Sequence, residues 1–359
     1  MHAKGKTRLS LRQKLLLLRL GTAFIAIVAA LLIASILIVS AGANPLSAFY
    51  HMYVGSIGSF PALVETLVRA TPIMLVSQGL AVAFRARLWN IGAEGQLLIG
   101  GTVAGALGLY LHALPQPLAV PLILLASGLG GAVWIVIPAL LRAYYEVNEI
   151  FTTLMSYYIA LYFVSFLLSG PLRDPVGLFP ETTTLPKEMM LPIIIKETRF
   201  HAGILIPLMI FGPLLYMVIG RSTVGVKLSM VGCNPTAAQY AGVDLKRVTV
   251  FSLLFSGFLA GLAGGVEVLG IQSKMRLDIS PGYGFTGIVV ALLGYMDPIG
   301  VMVASMIMGG LINGSTTMHR LDRVPVGMAF MIQAMVVIFV MVGYLLYDRF
   351  SRKVVGRVE

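Results

Sequence analysis

The sequence predicts an all-α, polytopic membrane protein of about ten transmembrane helices, and three observations carry that prediction. Of 359 residues, 58% are hydrophobic and only 11% charged, with a mean hydropathy of +0.90, whereas a soluble domain carries about 25% charged residues. The apolar residues come in runs of about twenty, the length a helix needs to cross the hydrocarbon core of a bilayer. The basic residues behind the net charge of +11 sit in short segments between these runs and at the two ends, as membrane orientation requires. No basic stripe with interleaved aromatics appears, which argues against nucleic-acid binding.

The chain opens MHAKGKTRLSLRQKLLLLRLG, with six Lys or Arg ahead of an apolar run from Thr22 to Ala41. That run is too long for a signal-peptide core of about 7 to 15 residues. Residues 1–20 therefore read as a basic cytoplasmic N-terminus and the run as an uncleaved first span. Further spans are expected at 61–83, 94–111, 118–141, 150–169, 203–219 and 249–271. Between 284 and 318 the pieces Phe285 to Met296 and Ile299 to Ile312 are each short for a simple span. They form either two short broken helices, making ten crossings, or a re-entrant hairpin, making eight. Gly282, Gly284, Gly287, Gly294 and Pro298 interrupt them, a pattern found where unwound backbone lines a cavity. A last run, Val324 to Leu346, precedes YDRFSRKVVGRVE, in which Arg349, Arg352, Lys353 and Arg357 outnumber Asp348 and Glu359. Residues 347–359 are expected on the cytoplasmic side like the N-terminus, so residues 21–346 form one transmembrane domain with an even number of crossings.

Two inter-span segments are long enough to have structure of their own. Residues 170–202, expected outside the cell, contain PLRDP, Pro180, Pro186 and Pro192. They are too apolar at Met189 to Ile195 to be freely solvated, so a surface-lying structure able to receive a soluble partner is expected there, or an amphipathic tether. Residues 220–247, GRSTVGVKLSMVGCNPTAAQYAGVDLKR, carry Arg221, Lys227, Lys246 and Arg247 against Asp244, which places them in the cytoplasm. Within them Asn234 can cap a short helix that opens at Pro235 and ends at Gly242. A surface helix held between two spans can dock a partner and transmit force.

Catalytic chemistry is not legible. The histidines at 2, 51, 112, 201 and 319 are isolated, with no HExxH or paired-ligand spacing. Cys233 is the single cysteine, which excludes an intramolecular disulfide. Gly220 to Lys227 resembles a phosphate loop with its lysine out of register, so this route binds no ATP.

Ionisable residues inside spans are costly, about 2.5 to 3.5 kcal/mol at mid-membrane on insertion scales, and are functional candidates by default. Glu65 and Arg69, four apart, can pair on one helix face. RARLWNIGAEGQ, residues 85–96, sets Trp89, Asn90, Glu94 and Gln96 beside Gly92 and Gly95 where the second span yields to the third. A helix break there suits an aromatic or polyhydroxyl solute, and an ordinary cytoplasmic turn fits the same spacing. Asn148 and Glu149 open the fifth span, followed by Thr152, Thr153 and Tyr157, and Glu149 favours a helix N-terminus. Gly257, Gly261 and Gly265 form a repeated GxxxG, which lets another helix approach closely.

NIGAEGQ at 90–96, VNEIFTTLMSYYIALYFVSFLLSGPLRDP at 147–175 and GVKLSMVGCNPTAAQYAGVD at 225–244 together resemble permease subunits of bacterial ATP-binding-cassette importers. The branch is that of the ribose and branched-chain amino acid permeases, and within it the group for nucleosides and simple sugars. The resemblance implies a multi-pass protein of the cytoplasmic membrane, paired with a second permease subunit, identical or homologous. It also implies a cytoplasmic ATPase that holds the ATP and Mg, with no cofactor on this chain, and an external substrate-binding lipoprotein. It places the coupling helix that enters the ATPase at Gly232, Asn234, Pro235, Ala237, Ala238 and Gly242. Ser229 and Met230 stand where the family commonly has an Arg-Ala pair, so the charge offered there differs. A translocation path through Trp89, Asn90, Glu94, Gln96, Asn148, Glu149 and Thr153 is the corresponding expectation. A secondary transporter or channel is the main alternative; it would show a relay of buried acids and an inverted repeat, whereas Glu65, Glu94 and Glu267 are scattered.

Overall fold

The computed structural model describes residues 28–325 continuously, together with Ile25 and scattered positions between Gly327 and Arg349. The basic N-terminus 1–20 and, Arg349 apart, the tail 347–359 lie outside the described residues. The described part is helical, with only the isolated β-bridges Glu181 to Arg276 and Ile193 to His201. Seven helical stretches are long and apolar enough to cross a membrane: Phe60–Arg85, Ala93–Ala113, Gln116–Tyr145, Glu149–Ser169, Ala202–Arg221, Leu245–Gln272 and Pro298–Asp322. Val28–Ser40 and Pro45–Ile57, bent by 113°, pass the same test as one broken span.

We number the helices α1 (Val28–Ser40), α2 (Pro45–Ile57), α3 (Phe60–Arg85), α4 (Ala93–Tyr110), α5 (Gln116–Trp134), α6 (Val136–Tyr145), α7 (Glu149–Ser169), α8 (Gly212–Arg221), α9 (Thr223–Cys233), α10 (Pro235–Tyr240), α11 (Leu245–Glu267), α12 (Tyr283–Leu293) and α13 (Pro298–Asp322). Residues 59–310 form one compact unit, and residues up to 58 with those from 311 form another.

One sequence expectation changes and one element is added. The helix of the first apolar run ends at Ser40, and the chain turns at Gly42, whose φ is +78°, into α2. Asn44 caps α2 by accepting from the Leu46 amide at 2.9 Å, and Pro45 takes its first turn. The piece Ile299 to Ile312, expected to be short, is part of the 25-residue α13. Its polar continuation stays helical because the hydroxyls bond back to carbonyls of the preceding turn, as Thr316 does to Ile312 at 2.9 Å, and because Asn313 donates to the Gly55 carbonyl at 2.8 Å. Phe285 to Met296 is indeed short, contributing the 11-residue α12. In the smaller unit His51 is not isolated, since its Nδ1 lies 2.8 Å from the Asp322 carboxylate.

The larger unit is organised around α11, which packs on α3, α4, α5 and α6. Its glycines permit this. A Cβ at Gly261 would overlap the Ser127 carbonyl of α5, one at Gly264 the Leu97 carbonyl of α4, and one at Gly265 would stand 2.7 Å from the Ser127 side chain. The GxxxG ladder is thus an intramolecular contact. With acyl chains as apolar as leucine, such close backbone approach is what favours helix association in a membrane.

The segment 170–202 is pinned rather than free. Thr182 and Leu185 donate backbone hydrogen bonds to the Met275 and Ser273 carbonyls at 3.0 and 2.8 Å, and Leu191 donates to Leu269 at 2.8 Å. Lys274 Nζ meets Glu181 Oε1 at 2.6 Å. Apolar Met189 and Leu191 are buried, which removes the simple tether.

Gly264→Val forces methyl groups against the Leu97 carbonyl and the Gly101 amide, and overpacking of this kind costs about 1–3 kcal/mol or more. Thermal unfolding of detergent-solubilised protein should show a clear loss of stability. Gly220→Ala, with no neighbour within 4 Å, should leave the melting curve in place.

Candidate functional site

Helix α3 ends at Arg85, and the chain hooks through Arg87, whose φ is +56°, before α4 begins at Ala93. The hook is not a surface turn. Asn90 and Gln96 are fully buried and exchange two amide hydrogen bonds, at 2.8 and 3.0 Å. Asn90 also donates to Ser256 Oγ at 3.0 Å, and Ser256 lies near the midpoint of the helical stretch Leu245–Gln272. The break therefore sits deep in the helical layer. Backbone groups at that depth must find partners inside the protein, and Asn90 and Gln96 are placed where they satisfy each other and brace the hook.

A second helix begins at the same place. Glu94, 4% exposed, accepts from the Gly284 amide at 2.6 Å, with Ser280 and Gly282 close by. Gly284 lies in the first turn of α12, whose cap Gly282 has φ +91°. A carboxylate here satisfies amides that have no partner in their own helix and meets the positive end of the helix dipole. Gly284 must lack a side chain because its Cβ would overlap the Glu94 backbone.

Helix α7 closes the third side. Asn148 caps it by accepting from the Ile150 amide at 2.9 Å. Glu149 is buried and divides its oxygens, Oε1 accepting from the Trp89 amide at 3.3 Å and Oε2 lying 3.1 Å from Arg142 Nε. One turn later Thr153 Oγ1 accepts from the Ile91 amide at 3.2 Å. A Cβ at Gly92 would overlap the Thr153 carbonyl, so α7 and the hook touch backbone to backbone. Trp89 packs on Phe84, with centroids 4.8 Å apart, and remains 37% exposed.

Below the hook lies the basic elbow. Asn234 accepts from the Ala237 amide at 3.1 Å and caps α10, which opens at Pro235. Past its end Gly242 adopts φ +81°. Ala238 faces inward, while Asn234, Pro235, Ala237 and Tyr240 are exposed, Tyr240 by 90%. The elbow is anchored through Gly232, where a Cβ would overlap the Arg85 carbonyl at the end of α3. Arg85 in turn donates from Nε to the Met296 carbonyl at 3.0 Å, holding the pair Tyr295 and Met296, both at φ +56°, after α12.

Trp89, Asn90, Glu94, Gln96, Asn148, Glu149 and Thr153 therefore come together around one break. Glu65 and Arg69 stand elsewhere, in the early turns of α3. Glu65 Oε1 lies 3.2 Å from Arg69 Nε and 3.2 Å from Arg199 Nη1. Sequence reasoning missed Arg199, Arg142, Ser256 and Ser280, whose single polar side chains have no periodic or motif signal. Among the described residues no cluster of three metal-ligating side chains occurs.

A multi-pass helical protein with a braced mid-span break and a capped surface helix beneath it belongs to the membrane transport class. Residues 62–345 match the family described as branched-chain amino acid transport system, permease component, and the chain belongs to that family. It is a permease subunit of an ATP-binding-cassette transporter rather than an enzyme. It is 34% identical over 329 residues to the glucose ABC transporter permease protein TsgB13 of Haloferax volcanii, covering 89% of this chain and 86% of that one. It is also 34% identical over 324 residues to the guanosine ABC transporter permease protein NupP of Bacillus subtilis, covering 89% and 92%. The nucleoside ABC transporter permease protein NupB of Lactococcus lactis is 29% identical over 332 residues, with 90% of each chain covered. No solved structure matches the chain.

Asn90→Ala leaves the buried Gln96 amide unpaired, at a cost of about 1–3 kcal/mol. A double-mutant cycle with Gln96→Ala, followed by thermal unfolding, should return a coupling energy of about 1 kcal/mol or more. Additive losses would contradict the brace.

His201 is buried beside Gly270. Burial, and then Arg199, pushes its pKa down from 6.5 to about 4. The unfolded chain therefore binds the proton first, and stability should fall as pH drops from 6.5 towards 4, by on the order of 3 kcal/mol at pH 4. His201→Leu should flatten this slope in melting curves taken across that window.

Proposed function

We propose that the chain is one of two permease subunits of an importer in the cytoplasmic membrane, moving a nucleoside by alternating access driven by a separate ATPase. The observation that carries this reading is the continuous contact from α10 through Gly232 to Arg85, and from Arg85 to both the hook and the end of α12. A partner that moves the exposed face of α10 pulls on the break with no flexible joint between. ATP and Mg belong to that ATPase, and an external binding lipoprotein delivers the solute near the segment 170–202.

The reading extends the seven helical stretches, or eight with the bent pair, to ten crossings with both termini in the cytoplasm. In it, residues 273–282, the 11-residue α12 and the turn at Tyr295 and Met296 after it count together as one passage. Relatives named for glucose and for guanosine both match at 34% identity. The indole, phenol and phenyl rings around the break favour the nucleoside, since planar bases stack on aromatic faces. In this reading Trp89 and Glu94 border the path, while Asn90, Gln96, Asn148, Glu149 and Thr153 hold its walls.

Gly232→Val drives side-chain atoms into the Arg85 carbonyl and should abolish receptor-stimulated ATPase activity and uptake in the reconstituted transporter. Asn234→Ala, which removes one cap worth about 1 kcal/mol, should weaken both only partly. Full ATPase stimulation and uptake by Gly232→Val would remove the coupling reading.

A further inference from the structure

The hydrogen bonds of the break leave one group of side chains unused. Tyr157 of α7 and Phe285 of α12 meet edge to face, with centroids 5.3 Å apart and planes at 86°. The Phe285 ring stands 3.8 Å from the point where a Cβ on Gly282 would lie, and the Tyr157 backbone is 2.8 Å from the corresponding point on Gly95. The two rings therefore stand over the place where α4 and α12 both start, directly above the buried Glu94. Phe285 is 37% exposed, Tyr157 is half-buried, and Pro281 in the adjoining turn is exposed.

What covers this exposed turn follows from its backbone. Ser280, Pro281 and Gly282 are irregular and lead into Gly284, whose amide Glu94 accepts, four residues along the hook from the Asn90 that bonds Ser256 near mid-span. Irregular backbone is not tolerated against acyl chains and persists at such depth only in protein or along a water-filled cavity. An aqueous path along the side of the break that carries Tyr157 and Phe285 meets that condition.

A pair of perpendicular, partly exposed rings on such a path offers a stacking face and an edge, the arrangement that accepts a planar ring. The Tyr157 hydroxyl adds a donor and an acceptor beside it. We propose that Tyr157 and Phe285 form a stacking subsite for the base of the nucleoside in transit. This assignment rests on the nucleoside reading above and goes beyond it by naming the base-recognising residues. They are specificity-determining: the path could pass a sugar without them, whereas the stacking energy is available only to an aromatic base.

The test uses the complete transporter, with its second permease, ATPase and receptor, in proteoliposomes. Labelled guanosine and labelled glucose are the transport probes, and 8-azidoguanosine is the photolabel. Tyr157→Ala and Phe285→Ala should each lower guanosine uptake about tenfold, in line with the loss of one stacked base. Tyr157→Phe and Phe285→Trp, which keep a ring, should lose less uptake than the alanine variants, and photolabel should map to α7 and α12. Alanine variants that take up guanosine normally would show that the rings face lipid and would overturn the subsite. So would alanine variants whose second permease no longer co-purifies, because the rings would then be a subunit contact. An unaltered transporter that moves glucose and no nucleoside would overturn the nucleoside reading and the subsite together. Normal guanosine uptake by the unaltered protein with indifferent alanine variants would overturn the subsite alone.

Discussion

A helix crossing hydrocarbon satisfies its own backbone, and a helix broken inside it does not. Each amide freed by a break costs several kcal/mol unless a side chain or another backbone group replaces the lost partner. The larger unit is arranged around two such breaks set side by side. Glu94 answers the Gly284 amide and Ser280 that of Tyr283 at the start of α12, Thr153 and Glu149 answer those of Ile91 and Trp89, and Asn90 and Gln96 close on each other. Remove these replacements and neither α4 nor α12 can begin where it does.

The same constraint explains the glycines. Side chains can reach the broken backbone only if the helices bearing them lie almost in contact, and Gly92 against Thr153, Gly284 against Glu94 and Gly264 against Leu97 allow that approach. Close approach also makes the assembly stiff. Gly232 set on the Arg85 carbonyl extends the close packing to the elbow. The coupling proposed above would run through backbone contacts, which have few intermediate positions, more than through charged pairs, which tolerate many.

Much of this was legible in particular residues and much was not. The cap at Asn234, the proline after it and Gly242 past the helix end are local chemistry, and α10 has the form they dictate. The span boundaries followed hydropathy wherever a run was continuous. They failed at α13, where the apolar run stops at Ile312 but the helix continues to Asp322, because hydroxyls that bond back to their own helix look polar in a hydropathy window. Glu65 and Arg69 pair at helical spacing, yet Arg199, 130 residues further along the chain, shares the same carboxylate oxygen, and no spacing rule reaches that far.

By itself the sequence determined the class: a helical membrane protein with a capped, exposed elbow and no catalytic cluster of its own. These properties depend on composition and on neighbours within a turn or two, which is the range over which hydropathy, charge bias and capping act. Only the tertiary structure decided that NIGAEGQ is a buried hook at mid-span and not a surface turn, since that depends on Ser256 and Gly284, which lie 166 and 190 residues away from Asn90 and Glu94. Polar groups in a low-dielectric interior take whatever partners the packed helices bring to them, and which helices are adjacent is settled by glycine contacts spread over the whole chain.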